Sequence, residues 1–198
     1  SSLLLEDLKG TKHVEDLETI IRETIRCRSI VRGLLDFARE SKHVKEWASL
    51  NAIILDTLQI LEKHVSYQKI VINKDLDPNI PLCLMDVNQM KSVINNLAEN
   101  ATHAMPEGGT LGLGTSYDSG LDAILLRISD TGVGISEENV PKIFDPFYTT
   151  KTEGKGTGLG LAVTFGIVKR HQGTISVKST PGRGTTFTIT LPIKHIDD

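Results

Sequence analysis

From Glu153 to Val163 the sequence reads Glu-Gly-Lys-Gly-Thr-Gly-Leu-Gly-Leu-Ala-Val, and this stretch decides the fold. Its four glycines alternate with other residues, and a helical pattern follows at once. Glycine at this density costs backbone entropy, so the backbone here must need positive φ or close approach to a ligand. The usual ligand is a phosphate chain held by backbone N–H groups at a helix N-terminus, and the plain alternative is a flexible loop.

The stretch does not match the common phosphate-binding motifs. A Walker A loop needs Ser or Thr after Gly-Lys, whereas Lys155 is followed by Gly156. A dinucleotide-binding fingerprint needs a strand just before it, and the residues before Gly156 are polar and loop-like. The His-Arg-Asp and Asp-Phe-Gly signatures of protein kinases are also absent from the sequence. The glycines therefore belong to a different nucleotide-binding fold or to none.

Length and charge limit the class of protein. The 198 residues have room for one domain plus a helical appendage. The 22 Lys and Arg against 25 Asp and Glu give a net charge of −3, which provides no argument for a nucleic acid or membrane partner. No apolar run approaches the ~18 residues of a membrane span. Cys27 and Cys83 lack zinc-binding spacing, so free thiols and a cytoplasmic location are expected.

The N-terminal part of the sequence has a helical pattern. Residues 1–9 resemble the end of a helix stopped by Gly10, and a wide apolar stripe runs from Val14 to about Arg39. A stripe of this width is typical of a helix packed on several neighbours in a bundle. Because one long helix and a stub cannot close such a core, a second chain or further sequence is expected to complete it.

The remaining sequence predicts a mixed domain of helices and strands. Strands are predicted at 46–49, 70–72, 81–85, 110–116, 123–129, 174–179 and 185–191, and helices at 51–64, 86–105 and 158–171. Asp86 followed by Gln89 resembles a capping box, which predicts the start of the second of these helices. The elements do not alternate as a regular βαβ repeat, and this favours an α+β fold.

Three further segments carry polar residues that accompany the glycine stretch. Asn96 and Asn100 lie four residues apart and therefore share one face of a predicted helix. Asp130 follows a predicted strand and precedes a Gly-Val-Gly turn at 132–134. Residues 144–151 form an aromatic-flanked loop that ends in a lysine. Each signal alone is weak, and their order and spacing along the chain make the combined signal strong.

That order resembles the catalytic and ATP-binding domain of two-component sensor histidine kinases, in the Bergerat ATP-binding superfamily. The matching boxes are the N box at 96–100, the G1 box at 130–134, the F box at 144–147, the G2 box at 156–161 and a final Gly-x-Gly-Thr element at 182–185. The runs Asn-Ala-x-x-Ala-Met-Pro-Glu-Gly-Gly and Tyr-Thr-Thr-Lys look most like the nitrogen-regulation branch.

The resemblance implies an architecture for the whole chain. Residues 1–41 would be the C-terminal part of a dimerisation and phosphoacceptor helical hairpin. Residues 46–194 would be the ATP-binding catalytic domain, an α/β sandwich whose mixed, mainly antiparallel sheet is covered on one face by helices. A homodimer through the hairpin is implied for the full-length protein, with any membrane anchor in an N-terminal region outside this sequence.

The resemblance also implies roles for individual residues. Asp130 would accept a hydrogen bond from the adenine amine, with Gly132 and Gly134 allowing close backbone approach. The amide oxygen of Asn100 would be a ligand for Mg²⁺ on the phosphates. The further residues expected to bind ATP are Asn96, His103, Ile135, Tyr148, Thr149, Thr150, Lys151, Lys155, Gly156, Thr157, Gly158, Leu159, Gly160, Leu161 and Thr185.

Asn96 and Lys151 are the expected catalytic residues. The hydrolysing branches of the superfamily carry a Glu at the position of Asn96, where it activates water. An amide cannot act as a general base. The site is therefore expected to hold ATP for transfer and to hydrolyse it poorly.

The implied function is transfer of the ATP γ-phosphoryl group to a histidine and then to an aspartate of a response-regulator receiver domain. None of the six histidines is followed by an acidic residue and then Asn-Pro-Leu, as an acceptor in this family would be. The acceptor is therefore expected upstream of Ser1. Two alternatives stay open, namely a related serine kinase and a non-catalytic Bergerat-type nucleotide-binding scaffold.

Overall fold

The computed structural model describes residues 44–62, 69–151 and 156–193, together with separate positions between Val14 and Cys27. Those separate positions are helical, as predicted. The predicted helix end at 1–9, the rest of the predicted hairpin helix and Lys155 lie outside the described residues. The domain boundary near residue 41 therefore stays a prediction. Among the described residues, no helix combines the length and the apolar character needed to cross a bilayer.

Ten helices and strands make up the described domain. In chain order they are β1 (Glu46–Ala48), α1 (Leu50–Leu61), β2 (Ile70–Leu76), β3 (Cys83–Met85), α2 (Val87–Ala104), β4 (Gly109–Asp118), β5 (Ala123–Asp130), α3 (Gly160–Arg170), β6 (Thr174–Thr180) and β7 (Gly184–Pro192). A short 3₁₀ turn, Val140–Lys142, lies between β5 and α3. Each element predicted between residues 46 and 193 is present, and the largest difference is that β2 continues four residues beyond its predicted end.

The main sheet is mixed and mainly antiparallel, which confirms the predicted fold class. Its strand order is β2-β4-β5-β7-β6, and β1 and β3 form a separate two-stranded sheet. β5 lies between β4 and β7 and is antiparallel to both. Only the β2–β4 pair in this sheet is parallel, within the part of the chain that the structure describes. The central position of β5 places its last residue, Asp130, beside the start of β7.

The core lies between the inner face of the sheet and the helices. α2 buries Met90, Val93, Leu97 and Ala101, which recur at the three-to-four-residue spacing of one helix face. It packs on β4, β5 and β7, while α1 packs on α2 and α3 packs on α2 and β6. Each large apolar side chain buried in this way contributes about 1.5–3 kcal/mol. This packing fixes α2 across the sheet.

The start of α2 is held in place by specific hydrogen bonds. Asp86 is the N-cap, and its side chain accepts a hydrogen bond from the Gln89 N–H at 3.0 Å, as the capping-box pattern predicts. The Asp86 N–H donates to His171 Nε2 at 3.0 Å, and His171 Nδ1 donates to the Ile167 carbonyl at 2.8 Å. His171 therefore joins the start of α2 to the end of α3.

Candidate functional site

The Asp130 carboxylate is buried and fixed at the end of β5. Its exposed fraction is 9%, and Oδ1 accepts hydrogen bonds from the Gly132 N–H at 2.9 Å and the Thr185 N–H at 3.3 Å. Asp130 and Thr185 are also direct partners in the β5–β7 ladder. Among the described residues, Oδ2 takes no hydrogen bond, so the second oxygen is available to a donor from outside the chain.

The electrostatics of this carboxylate follow from its burial. Burial raises the pKa of Asp130 above its ordinary value, and the hydrogen bonds from Gly132 and Thr185 oppose that shift. Oδ2 has no partner among the described residues, and a ligand N–H can give a charged oxygen of this kind a hydrogen bond. The carboxylate is therefore suited to recognise a hydrogen-bond donor such as an exocyclic amine.

The Gly-Val-Gly turn after Asp130 packs where side chains have no room. A Cβ at Gly132 would lie 2.5 Å from the Ala104 carbonyl oxygen, and one at Gly134 would lie 2.2 Å from the Thr180 carbonyl oxygen. Gly134 also has φ of +71°, which favours glycine. The Val133 N–H donates to Ala104 O at 3.0 Å. The turn is thus held directly against the C-terminal end of α2.

Ser179 organises the residues beside the turn, and sequence reasoning missed it. Its Oγ accepts the Ile135 N–H at 2.7 Å, donates to the Gly184 carbonyl at 3.0 Å and lies 2.9 Å from Thr185 Oγ1. A lone serine in a strand carries no sequence signal, and only its register opposite Thr185 could have indicated the contact. Ile135 and Thr185, both predicted site residues, are therefore joined through Ser179.

A groove of about 500 Å³ opens beside Asp130 and Thr185. Its other walls come mainly from β6, including Val177 and Ser179, and from Val140 of the 3₁₀ turn. Neither asparagine of the predicted N box lines it. The groove therefore reaches the candidate site only at the Asp130 end.

The two N-box asparagines contact two different segments. Asn96 Nδ2 donates to the Gly160 carbonyl at 3.3 Å, which ties α2 to the first residue of α3. One turn later, Asn100 Oδ1 accepts a hydrogen bond from Lys151 Nζ at 3.2 Å, and His103 Nδ1 lies 3.2 Å from the same Nζ. Four of the predicted residues, Asn96, Asn100, His103 and Lys151, are thus brought together along one helix.

Charge and burial act together around Lys151. Burial lowers the pKa of the Lys151 ammonium, and the nearby Glu99 carboxylate opposes this shift. The pKa of His103 is also lowered, first by the partial desolvation of its ring and then by the Lys151 charge. The amide oxygen of Asn100 already accepts a hydrogen bond from a cation, the Lys151 ammonium. A hard oxygen of this kind fits Mg²⁺, and the described residues contain no cluster of three or more His, Cys, Asp or Glu that could form a separate metal site.

The glycine stretch ends in a tight turn that leads directly into α3. Gly158 has φ of +66°, and its carbonyl accepts the Phe147 N–H at 3.0 Å. Leu159 is buried, and its N–H donates to Thr157 Oγ1 at 3.3 Å. The α3 helix then begins at Gly160, beside Asn96. The positive end of a helix, which favours anions, is therefore adjacent to the N box.

The other predicted residues have different surroundings. Tyr148 donates its hydroxyl to Asn139 Oδ1 at 2.7 Å, and Thr149 Oγ1 accepts the Lys151 N–H at 3.2 Å. Thr150 is exposed, and Gly156 and Leu161 are partly buried. The contribution of these residues to ligand binding stays a prediction.

The comparison with protein families gives the class of protein. The model described as "Histidine kinase-, DNA gyrase B-, and HSP90-like ATPase" matches residues 85–195, which contain all the boxes described above. The match covers more than half of the sequence, and the chain belongs to this family.

Several curated relatives carry kinase names. The chain is 35% identical to "Sporulation kinase E" of Bacillus subtilis over 89% of its own length and 23% of that protein. It is 36% identical to "Sporulation kinase A" of the same organism over 97% of the chain and 31% of the relative. It is 36% identical to "Signal transduction histidine-protein kinase AtoS" of Escherichia coli, over 96% and 31%. The chain thus spans about a quarter to a third of these relatives.

Solved structures confirm the fold. The nucleotide-free catalytic domain of histidine kinase ThkA is 28% identical, with a TM-score of 0.67 over 75% of this chain and 95% of that one. Full-length ShkA in complex with AMPPNP has a TM-score of 0.75 over 96% of this chain and 41% of that one, at 24% identity. The resemblance to histidine kinase catalytic domains is therefore confirmed. Assignment to the nitrogen-regulation branch is not confirmed.

Proposed function

We propose that the chain is the ATP-binding catalytic part of a sensor histidine kinase. It binds Mg²⁺-ATP and transfers the γ-phosphoryl group to a histidine nitrogen upstream of Ser1, from which the group passes to an aspartate of a receiver domain. The observation that carries the proposal is the buried Asp130 carboxylate, whose Oδ1 is fixed by two backbone N–H groups while Oδ2 has no partner among the described residues.

In the proposed function, Asp130 recognises the adenine base. Its Oδ2 accepts a hydrogen bond from the exocyclic amine, and a hydrogen bond to a charged group contributes about 1.5–3 kcal/mol. The close packing of Gly132 on Ala104 supports this role, because it holds the turn that orients the carboxylate. The Thr185 N–H donates to the same carboxylate, and Ser179 links Thr185 to Ile135 just after the turn.

The phosphate groups lie at the other end of the site. The start of α3 and the ammonium of Lys151 supply positive charge there, and Asn100 would hold the metal through Oδ1. Bound Mg²⁺ would supply charge that neutralises the phosphate oxygens during transfer. Most of the chemistry of phosphoryl transfer is positioning and charge stabilisation, which these groups are suited to provide.

Asn96 acts as a positioning residue. Its hydrogen bond to the Gly160 carbonyl supports a role in holding α3 against α2. Because an amide cannot abstract a proton from water, the site favours transfer to another nucleophile over hydrolysis.

The partners of the parent protein belong to the same proposal. Residues 1–41 would pair with a second copy through the helical hairpin, and residues 46–194 would deliver the phosphoryl group. One solved structure with the same fold is that of ThkA in complex with the response regulator TrrA, at 23% identity and a TM-score of 0.74. A cytoplasmic catalytic region that meets a receiver domain is consistent with this function.

Labelling tests the proposed transfer. The chain is incubated with γ-labelled ATP and a separate longer hairpin protein that includes the sequence upstream of Ser1. We expect label on the hairpin that is lost in acid and stable in base, as phosphohistidine requires, and no label on this chain. Transfer should be slow, because the two proteins lack a covalent link that raises their local concentration. Acid-stable label would indicate a serine kinase, and nucleotide binding without any label would indicate a scaffold.

A further inference from the structure

Two acceptor atoms of α2 converge on one ammonium group. Lys151 Nζ lies 3.2 Å from Asn100 Oδ1 and 3.2 Å from His103 Nδ1. The two α2 residues are three positions apart and therefore neighbours on one helix face. Because an ammonium group can only donate, the amide oxygen and the imidazole nitrogen are both acceptors here. Lys151 is thus bound by neutral groups in the way that a cation is bound by ligands.

No carboxylate replaces either acceptor. Within the described ranges, Lys151 forms no ion pair, and the exposed Glu99 carboxylate acts on it only through its charge. The ammonium is partly withdrawn from water, so the two neutral acceptors compensate much of its desolvation. A site that holds a cation through neutral acceptors can exchange that cation for another without leaving a buried negative charge unpaired.

We propose that Lys151 occupies the cation position on Asn100 in the nucleotide-free chain, and that Lys151 and the divalent cation of a bound nucleotide are alternative occupants of Asn100 Oδ1. The inference rests on the proposed function and adds a competition to it. Two cations at one oxygen repel each other strongly at such short range. Metal binding therefore requires the ammonium to leave Asn100, and the phosphate oxygens offer it a new partner.

His103 acquires a specific role in this competition. It is a positioning residue that retains Lys151 on Asn100 and so weakens metal binding. Removing its acceptor atom should release Lys151 and strengthen binding of the metal. If His103 instead contacts the phosphates or the metal, the same change should weaken binding. The two roles therefore predict effects of opposite sign.

The experiment measures Mn²⁺ binding to the full chain at saturating ADP and pH 8, by electron paramagnetic resonance of the free ion. His103 is exposed, so His103→Ala should retain the fold. We expect His103→Ala to tighten Mn²⁺ binding by about three- to tenfold, which is the size of the net contribution of one typical hydrogen bond. His103→Gln keeps an acceptor oxygen and should remain close to the wild type. In a Lys151→Met background, His103→Ala should have no further effect.

Weaker Mn²⁺ binding in His103→Ala, or the same tightening in the Lys151→Met background, would overturn the competition. If either of these results is found while the wild-type chain still binds ADP and Mn²⁺, the competition fails and the proposed function stands. If the wild-type chain binds no ADP, the proposed function and this inference both fail.

Discussion

The carbonyl oxygen of Ala104 accepts the backbone N–H of Val133 at 3.0 Å and so joins the end of α2 to the turn that follows Asp130. The same helix contacts Gly160 through Asn96 and Lys151 through Asn100. Three segments that are distant in sequence are therefore positioned by one helix. A change at any of these contacts should alter the relative positions of the base and phosphate ends of the site.

Gly132→Ala should separate the turn from α2. The new Cβ would lie 2.5 Å from Ala104 O, and such overpacking typically costs about 1–3 kcal/mol of stability. We expect a lower free energy of unfolding in urea and at least tenfold weaker ADP binding. Gly166→Ala is the matched control, because its Cβ would meet only Arg170 Nη1 at 3.5 Å. In the interior of α3, that alanine should stabilise the chain by about 0.5–1 kcal/mol. Equal stability and ADP affinity in the two variants would contradict the packing described here.

Asn100→Ala should remove most of the metal dependence of nucleotide binding. Its amide oxygen already faces a cation in the structure, and the proposed ligand is that atom. In titrations with ADP, we expect the ratio of affinities with and without Mg²⁺ to fall toward one. The control is Asn95→Ala, because Asn95 is exposed on the same helix. A variant that still responds to Mg²⁺ as the wild type does would show that Asn100 is not the ligand.

His171→Ala should reduce stability in a pH-dependent way. His171 is buried, and it accepts the Asp86 N–H, so its neutral form is required. Burial lowers the pKa of His171, the hydrogen bond to the Ile167 carbonyl raises it, and the charges of Lys45 and Arg170 lower it. The unfolded chain therefore binds the proton more readily, and the contribution of His171 is complete above its unfolded pKa of about 6.5. It is lost as the pH falls through the lowered folded pKa.

We expect His171→Ala to cost about 1–3 kcal/mol at pH 7.5, since it leaves the partly buried Asp86 N–H without its imidazole partner. The difference between variant and wild type should shrink at pH 5. Urea unfolding at both pH values measures this. His103→Ala supplies a comparison, because it removes an exposed histidine and should change stability much less. A difference that is the same at both pH values would show that His171 does not titrate with folding.

Much of the fold followed from local patterns in the sequence. Alternation predicted β4 and β5, and the N-cap of α2 at Asp86 was confirmed by its hydrogen bond to Gln89. The parallel pairing of β2 with β4 was not predicted, because pairing between strands separated by a helix leaves no local signal. The length of β2 was underestimated for a related reason. Asn73 to Asp75 are polar and exposed, so hydrophobic alternation stops although the ladder continues.

The sequence predicted individual residues of the candidate site better than the contacts between them. Asp130, Asn96 and Asn100 were identified from spacing and residue type. Their partners were not, because the Asn100–Lys151 contact joins residues 51 positions apart and depends on tertiary packing. Ser179 was missed for the same reason, since its three contacts depend on the register of β6 with β7.

The proposed role of Asp130 is tested most directly by the affinity of the chain for ADP, compared by calorimetry between the wild type and Asp130→Asn. Asparagine can accept the same two backbone hydrogen bonds, so the variant should fold, but its amide offers no charge and can present a donor to the adenine amine. We predict that the wild type binds ADP and that Asp130→Asn binds it at least tenfold more weakly. Asp56→Asn is the control, because this exposed carboxylate forms a surface pair with Lys91 at 3.4 Å, worth at most about 1 kcal/mol. Equal ADP affinity in the wild type and Asp130→Asn would contradict the assignment of Asp130 to the adenine base.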